Sequence, residues 1–157
     1  MDVQIKSRAA RFADVRPGTF FCALRAKPLF GICVSDGEKK GALMFSDAPN
    51  QHGIPWLADR GFPSDAIVMF PSAVMKADLS SVAAMSGTPP YGVIISSGED
   101  CFVRASAGFA NPSVTFNVST GMMANLPAQT ASIIFPRWKI GHYENHEFEP
   151  LFTFPLP

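Results

Sequence analysis

The densest potential for chemistry lies near the end of the chain, in Gly141-His142-Tyr143-Glu144-Asn145-His146-Glu147. Two imidazoles stand four residues apart with carboxylates beside them. Imidazole and carboxylate are donors that divalent cations such as zinc accept. A separation of four puts His142 and His146 on one face of a helix, and an even separation also puts them on one face of a strand. These two histidines are therefore the candidate metal ligands. The zinc-peptidase pattern needs Glu directly after the first His, and Tyr143 holds that place. Pro136 and Pro150 bracket the stretch, so it reads as strand or loop, and its more ordinary reading is a solvated polar connector.

A second concentration of functional groups lies in Ser46 to Arg60, which holds Asp47, His52, Trp56, Asp59 and Arg60. A His oriented by Asp47 or Asp59 has the parts of a general base. A small hydrolase using His52, or the His142/His146 pair, is one reading, but no strand–turn–helix elbow presents a nucleophile to either. Trp and Arg are favoured at binding hot spots. His52, Trp56, Asp59 and Arg60, with Tyr91, accordingly form the candidate ligand-binding set. Neither GxGxxG nor GxxxxGK[ST] occurs, and Asp36-Gly37 and Ser97-Gly98 read as turn chemistry in which Gly supplies a positive φ. No cofactor is implied.

The elements that must position these groups are mostly strands. Apolar runs of strand length occur at 19–24, 29–35, 66–70, 101–105 and 132–135, with further strands expected at 42–45, 91–96, 114–118 and 151–154. Two hairpins are expected, turning at Asp36-Gly37 and at Ser97 to Asp100. Val114-Thr115-Phe116-Asn117-Val118 alternates apolar and polar, as a half-exposed strand does. The best helix signal is Ser72 to Met85, and Pro55 to Asp59 suits one short turn opened by Pro. The 14 prolines, spread along the chain, exclude long helices. The fold class is all-β with few short helices.

The chain also echoes itself. Pro28 to Lys39 aligns with Pro89 to Asp100 at an offset of 61, with five of twelve positions identical. Ile67-Val68-Met69-Phe70-Pro71 resembles Ser132-Ile133-Ile134-Phe135-Pro136 at an offset of 65, in the same order. The expectation is a duplicated unit of about 60–65 residues, spanning 14–71 and 78–136, followed by a C-terminal extension over 137–157 that contains a strand. Two β units too small to bury their faces alone would pack together as a pseudo-twofold sandwich or fused barrels within one compact domain of 157 residues.

Composition narrows the function classes. The 13 basic and 13 acidic side chains cancel, and charged residues are only 17% of the chain. This excludes a disordered chain and a nucleic-acid binder held by phosphate neutralisation, so the 14 Phe read as core rather than as base-stacking platforms. From Ala105 to Pro136 there is no charged residue, yet Pro112, Pro127 and several Asn break the stretch, so it is not a membrane span. Cys22, Cys33 and Cys101 are odd in number and sit in apolar runs, as free buried thiols do. The N-terminus has no secretory leader, and a cytoplasmic protein is expected. Low charge favours association, and charge is depleted at interface cores. The expectation is a non-enzymatic β module in a homo-oligomer or larger assembly, of which a phage or viral structural part is one example. Val114, Phe116, Met122 and Met123 are the candidate interface residues. The alternative is a small-ligand-binding protein with its pocket between the two β units.

Overall fold

The computed structural model describes residues 7–24, 27–45, 54–58, 66–107 and 113–155. In chain order the strands are β1 Arg8–Arg11, β2 Phe20–Ala23, β3 Leu29–Ser35, β4 Lys40–Met44, β5 Trp56–Ala58, β6 Ala66–Phe70, β7 Val74–Ala77 and β8 Ala83–Ala84. They continue with β9 Ile94–Ser97, β10 Asp100–Ala105, β11 Val114–Asn117, β12 Met123–Ala124, β13 Ser132–Phe135, β14 Trp138–Glu144 and β15 Glu147–Phe154. Among the described residues the only helices are three 3-10 turns of three residues each. The protein is all-β. No helix among these residues is long and apolar enough to cross a membrane.

The strands form two six-stranded antiparallel sheets and one three-stranded sheet. The first runs β1-β6-β2-β3-β4-β5, the second β12-β11-β10-β9-β13-β8, and the third β15-β14-β7. Both expected hairpins form, as β3–β4 and β9–β10. Read from β8, the second sheet is wired like the first: the opening strand lies on the outer edge, the last strand lies beside it, and the remaining four follow as a meander. The two residue matches relate to this wiring differently. The echo of 67–71 in 132–136 pairs β6 with β13, which hold equivalent places. The twelve-residue match pairs β3 with β9, whereas the wiring makes β10 the equivalent of β3. That match is one strand out of step, and the duplication is not established by it.

Alternate residues of the first sheet serve two cores. Phe20, Ile32, Val34 and Leu43 face a core shared with the other two sheets. Phe21, Cys33, Ala42 and Met44 face a second core closed by Phe12 and Val15. The second sheet does the same, with Val103 and Phe116 in the shared core and Val93, Ile95 and Met85 in a smaller one of its own. A sheet covered on both faces needs apolar residues on both, so its strands read as continuous apolar runs. Hence β11 is not half-exposed: Val114, Thr115 and Phe116 are all buried.

Trp138 joins the three sheets. It is 1% exposed, stacks on Phe154 of the same sheet at 5.0 Å, and meets Phe45, just after β4, edge-on at 5.1 Å. Its indole N–H donates to the Gly92 carbonyl at 2.7 Å, next to the second sheet. A buried Trp is tolerated when its one polar atom has such a partner.

Two local expectations fail. Ser72 to Met85 is not a helix: its first part is β7, paired with Trp138 to Gly141, and its last part is β8, paired with Ile133 and Ile134. Between them Asp78 caps only a three-residue turn, accepting from the Ser80 amide at 3.0 Å. A helix here would leave one side of β14 unpaired, and cross-strand pairing overrides a weak local preference. Residues 56–58 are likewise the strand β5, hydrogen-bonded to β4, and not a helical turn.

The role of Trp138 is open to a denaturation series. Trp138→Ala should lower unfolding stability by about 3–5 kcal/mol, the usual range for deleting a buried aromatic. Trp138→Phe keeps a ring but strands the Gly92 carbonyl, and should cost about 1–3 kcal/mol from that group. Urea midpoints for the three proteins measure this, and an unchanged midpoint for the alanine variant would remove Trp138 from the centre of the fold.

Candidate functional site

The polar end of the β14–β15 hairpin collects the donors singled out near the C-terminus. The register slips at Ile140/Gly141, where Ile140 faces Phe152 but Gly141 faces Pro150. Only glycine suits this slip, because a Cβ on Gly141 would stand 2.8 Å from the Phe148 ring and 2.9 Å from the Glu149 carbonyl carbon. Beyond the slip, His142 lies directly opposite Glu149. Glu144, two residues further along β14, falls on the same face. His142 Nε2 and Glu149 Oε2 are 3.7 Å apart, and one donor atom each from His142, Glu144 and Glu149 lies within 4.8 Å of the others. The imidazole is 16% exposed and Glu149 57%. His142 Nδ1 is sealed from solvent and has no hydrogen-bond partner among the described residues. His146 is not in this group. It is exposed, at φ 69° in the turn after Asn145 at φ 47°. Tyr143 and Phe148 occupy the opposite face of the hairpin, where the Lys76 ammonium lies 5.2 Å from the Phe148 ring centre.

Of the ligand-binding set, His52, Asp59 and Arg60 lie outside the described residues, as does Asp47. Trp56 is on β5, half-buried and packed on the first sheet's own core. Around it, the Leu57 amide donates to the Ser106 carbonyl and the Ser106 amide to the Pro55 carbonyl, each at 2.8 Å, which ties β5 to the end of β10. Tyr91 precedes β9 with the Arg104 guanidinium 4.4 Å from its ring centre, and Arg104 donates to the Pro89 carbonyl at 3.0 Å. The two segments adjoin: a Cβ on Gly92 would stand 2.9 Å from Pro55 Cδ. Of the interface set, Val114 and Phe116 are packed in the shared core, at 7% and 3% exposure. Met122 and Met123 stand on the surface at 40% and 50%.

A feature that residue types did not flag is a cleft of about 390 Å³ between the first sheet and the β12 edge of the second. Val34, Leu57, Phe116 and Met123 supply its apolar lining, and Asp36, Lys39 and Lys40 its charged rim. Lys40 is committed to the fold, donating to the carbonyls of Ala13 and Val15 at 2.9 Å each. Asp36 accepts from the amides of Lys39 and Glu38, which hold its carboxyl below the usual carboxylate range. The only sequence signal was the Asp36-Gly37 turn, since the cleft arises from sheets brought together by the fold. No family model, curated protein or solved structure matches the chain.

All three cysteines are free. Burial pushes the Cys33 thiol up to about 11, against a smaller opposing pull from Lys40, and burial also raises Cys22. Cys33 donates to the Val15 carbonyl at 3.6 Å. Cys101 is half-buried and lines an apolar cleft of about 320 Å³ with Phe20, Val74, Ile94 and Phe135. Only the thiolate reacts, so burial makes Cys22 and Cys33 poorly reactive.

In the unfolded chain Cys33 ionises near about pH 8.5. The folded state holds its proton up to about 11. Its contribution to stability is thus full below the unfolded value and is lost as pH rises through that window. Denaturant midpoints should fall from about pH 8.5 to 11, and Cys33→Ala should flatten that fall. Equal alkaline slopes for the two proteins would contradict the assignment.

Proposed function

We propose that this protein is a non-enzymatic β module that self-associates as part of a homo-oligomer or larger assembly. The observation that carries the reading is the apolar, charge-free character of both edges of the second sheet. At one edge, β12 has two residues, with Met122, Met123 and Leu126 exposed around it. At the other, β8 also has two residues, flanked by Leu79, Val82 and Ile133 at 75%, 49% and 43% exposure. Natural proteins blunt sheet edges with short strands, charge or Pro, and of these the second sheet's edges have the short strands but not the charge. Here no charged residue occurs from 105 to 136, nor from 79 to 84. Two different edges of one sheet favour a head-to-tail contact, which closes into a ring or extends into a filament.

A small-ligand-binding protein is the second reading, favoured by the cleft of about 390 Å³ between the two large sheets, whose apolar floor and charged rim suit an amphipathic molecule.

Light scattering coupled to size exclusion tests the first reading. At tens of micromolar the protein should run well above its 16.9 kDa chain mass. Met123→Lys or Ile133→Lys should return it to that mass, since one buried unpaired charge outweighs the apolar contact. A monodisperse wild-type monomer would sink the assembly reading and leave the cleft as the feature to pursue.

A further inference from the structure

We infer that the polar end of the β14–β15 hairpin is a divalent transition-metal site of the zinc class, with His142, Glu144 and Glu149 as its ligands. The inference is independent of self-association, which rests on another sheet.

Three constraints converge there. The first is enforced proximity. The register beyond Gly141 sets His142 opposite Glu149 and Glu144 two residues along, so two carboxylates and an imidazole share one face, with one donor atom of each within 4.8 Å of the others. Carboxylates brought this close repel one another, and a bound cation reverses the sign of that term.

The second is the gap itself. At 3.7 Å, the His142 Nε2 to Glu149 Oε2 distance is too long for a hydrogen bond. A zinc ion about 2.0 Å from a nitrogen and about 2.1 Å from an oxygen, at a tetrahedral angle, separates them by about 3.4 Å. The observed spacing of 3.7 Å thus needs only a few tenths of an ångström of closure. The mixed nitrogen and oxygen donor set suits zinc and its neighbours over calcium or magnesium, which take oxygen alone.

The third is the state of the imidazole. Its Nδ1 side is sealed from solvent and has no hydrogen-bond partner among the described residues, so the ring's polar contact is on the carboxylate side. Burial to 16% exposure also restricts the ring's rotamers, so less side-chain freedom is lost on binding. Three protein ligands leave a fourth position open to water.

Calorimetric titration of the intact protein with zinc chloride, in a non-chelating buffer after EDTA treatment and dialysis, tests the site. One equivalent per chain should bind, and excess magnesium should not compete. His142→Ala and Glu149→Gln should each weaken binding at least tenfold, while His146→Ala, outside the group, leaves it unchanged. Glu144 and Glu149 are exposed, so Glu149→Gln should keep the metal-free melting temperature of the wild type; if His142→Ala, which removes a largely buried ring, lowers it, Glu144→Gln supplies the same comparison. Absence of zinc binding at millimolar concentration overturns the inference. So does binding that survives His142→Ala but is lost in His146→Ala, which would return the site to the turn.

Discussion

The structure depends on one buried tryptophan. Trp138 begins the strand that follows the second sheet, yet its ring contacts lie in three places: Phe154 and Phe152 of its own sheet, Phe45 beside the first, and the Gly92 carbonyl beside the second. Each six-stranded sheet already has a core on one face. What remains is to cover the other faces, and a chain this short has too little residual apolar surface to do so twice. The 137–155 hairpin solves this by inserting large aromatic side chains into a single space that both sheets share. Large rings bury much area per residue ordered, so a short extension can serve as the common centre.

The sheets are also tied backbone to backbone. Gly18 and Gly121 meet so closely that a Cβ on Gly121 would stand 2.6 Å from the Cys33 carbonyl oxygen, and one on Gly18 would stand 2.7 Å from the Ser119 carbonyl oxygen. Both have positive φ, 84° and 69°. The approach lets the Ser35 amide donate to the Gly121 carbonyl at 2.8 Å, a hydrogen bond running directly from one sheet to the other. The same crossing brings the start of β12 beside the end of β3 and so forms a wall of the cleft of about 390 Å³. The cleft and the sheet contact are two results of one close approach.

The legible and illegible parts of the fold separate by a single criterion. Residues 66–70 and 132–135 were readable as strands because each is a short run rich in β-branched and aromatic side chains closed by a proline, Pro71 and Pro136. Arg8–Arg11, Val74–Ala77 and Trp56–Ala58 were not, because nothing in their residue types demands a strand; they are extended because β6, β14 and β4 offer them hydrogen bonds. The site divides in the same way. His142 was visible as a candidate ligand from its type. Its partner Glu149 was hidden, because cross-strand neighbours depend on the register, and here the register depends on the slip at Gly141. The regular spacing of His142 and His146 pointed to the wrong geometry: the chain reverses at Asn145 and His146, and equal spacing on one face holds only while a strand continues.

By itself, then, the sequence determined the all-β class, the two central hairpins, three unpaired cysteines and a long stretch without charge, because each follows from side-chain chemistry or from short-range turn preferences. Only the tertiary structure decided that Val114 and Phe116 are interior while Met122 and Met123 are not, that the twelve-residue match is one strand out of step with the wiring, and that His142 pairs with Glu149. These depend on which strand lies beside which and in what register. That choice is made by long-range hydrogen bonding and by the sharing of one aromatic core, and neither leaves a periodic trace in the residues concerned.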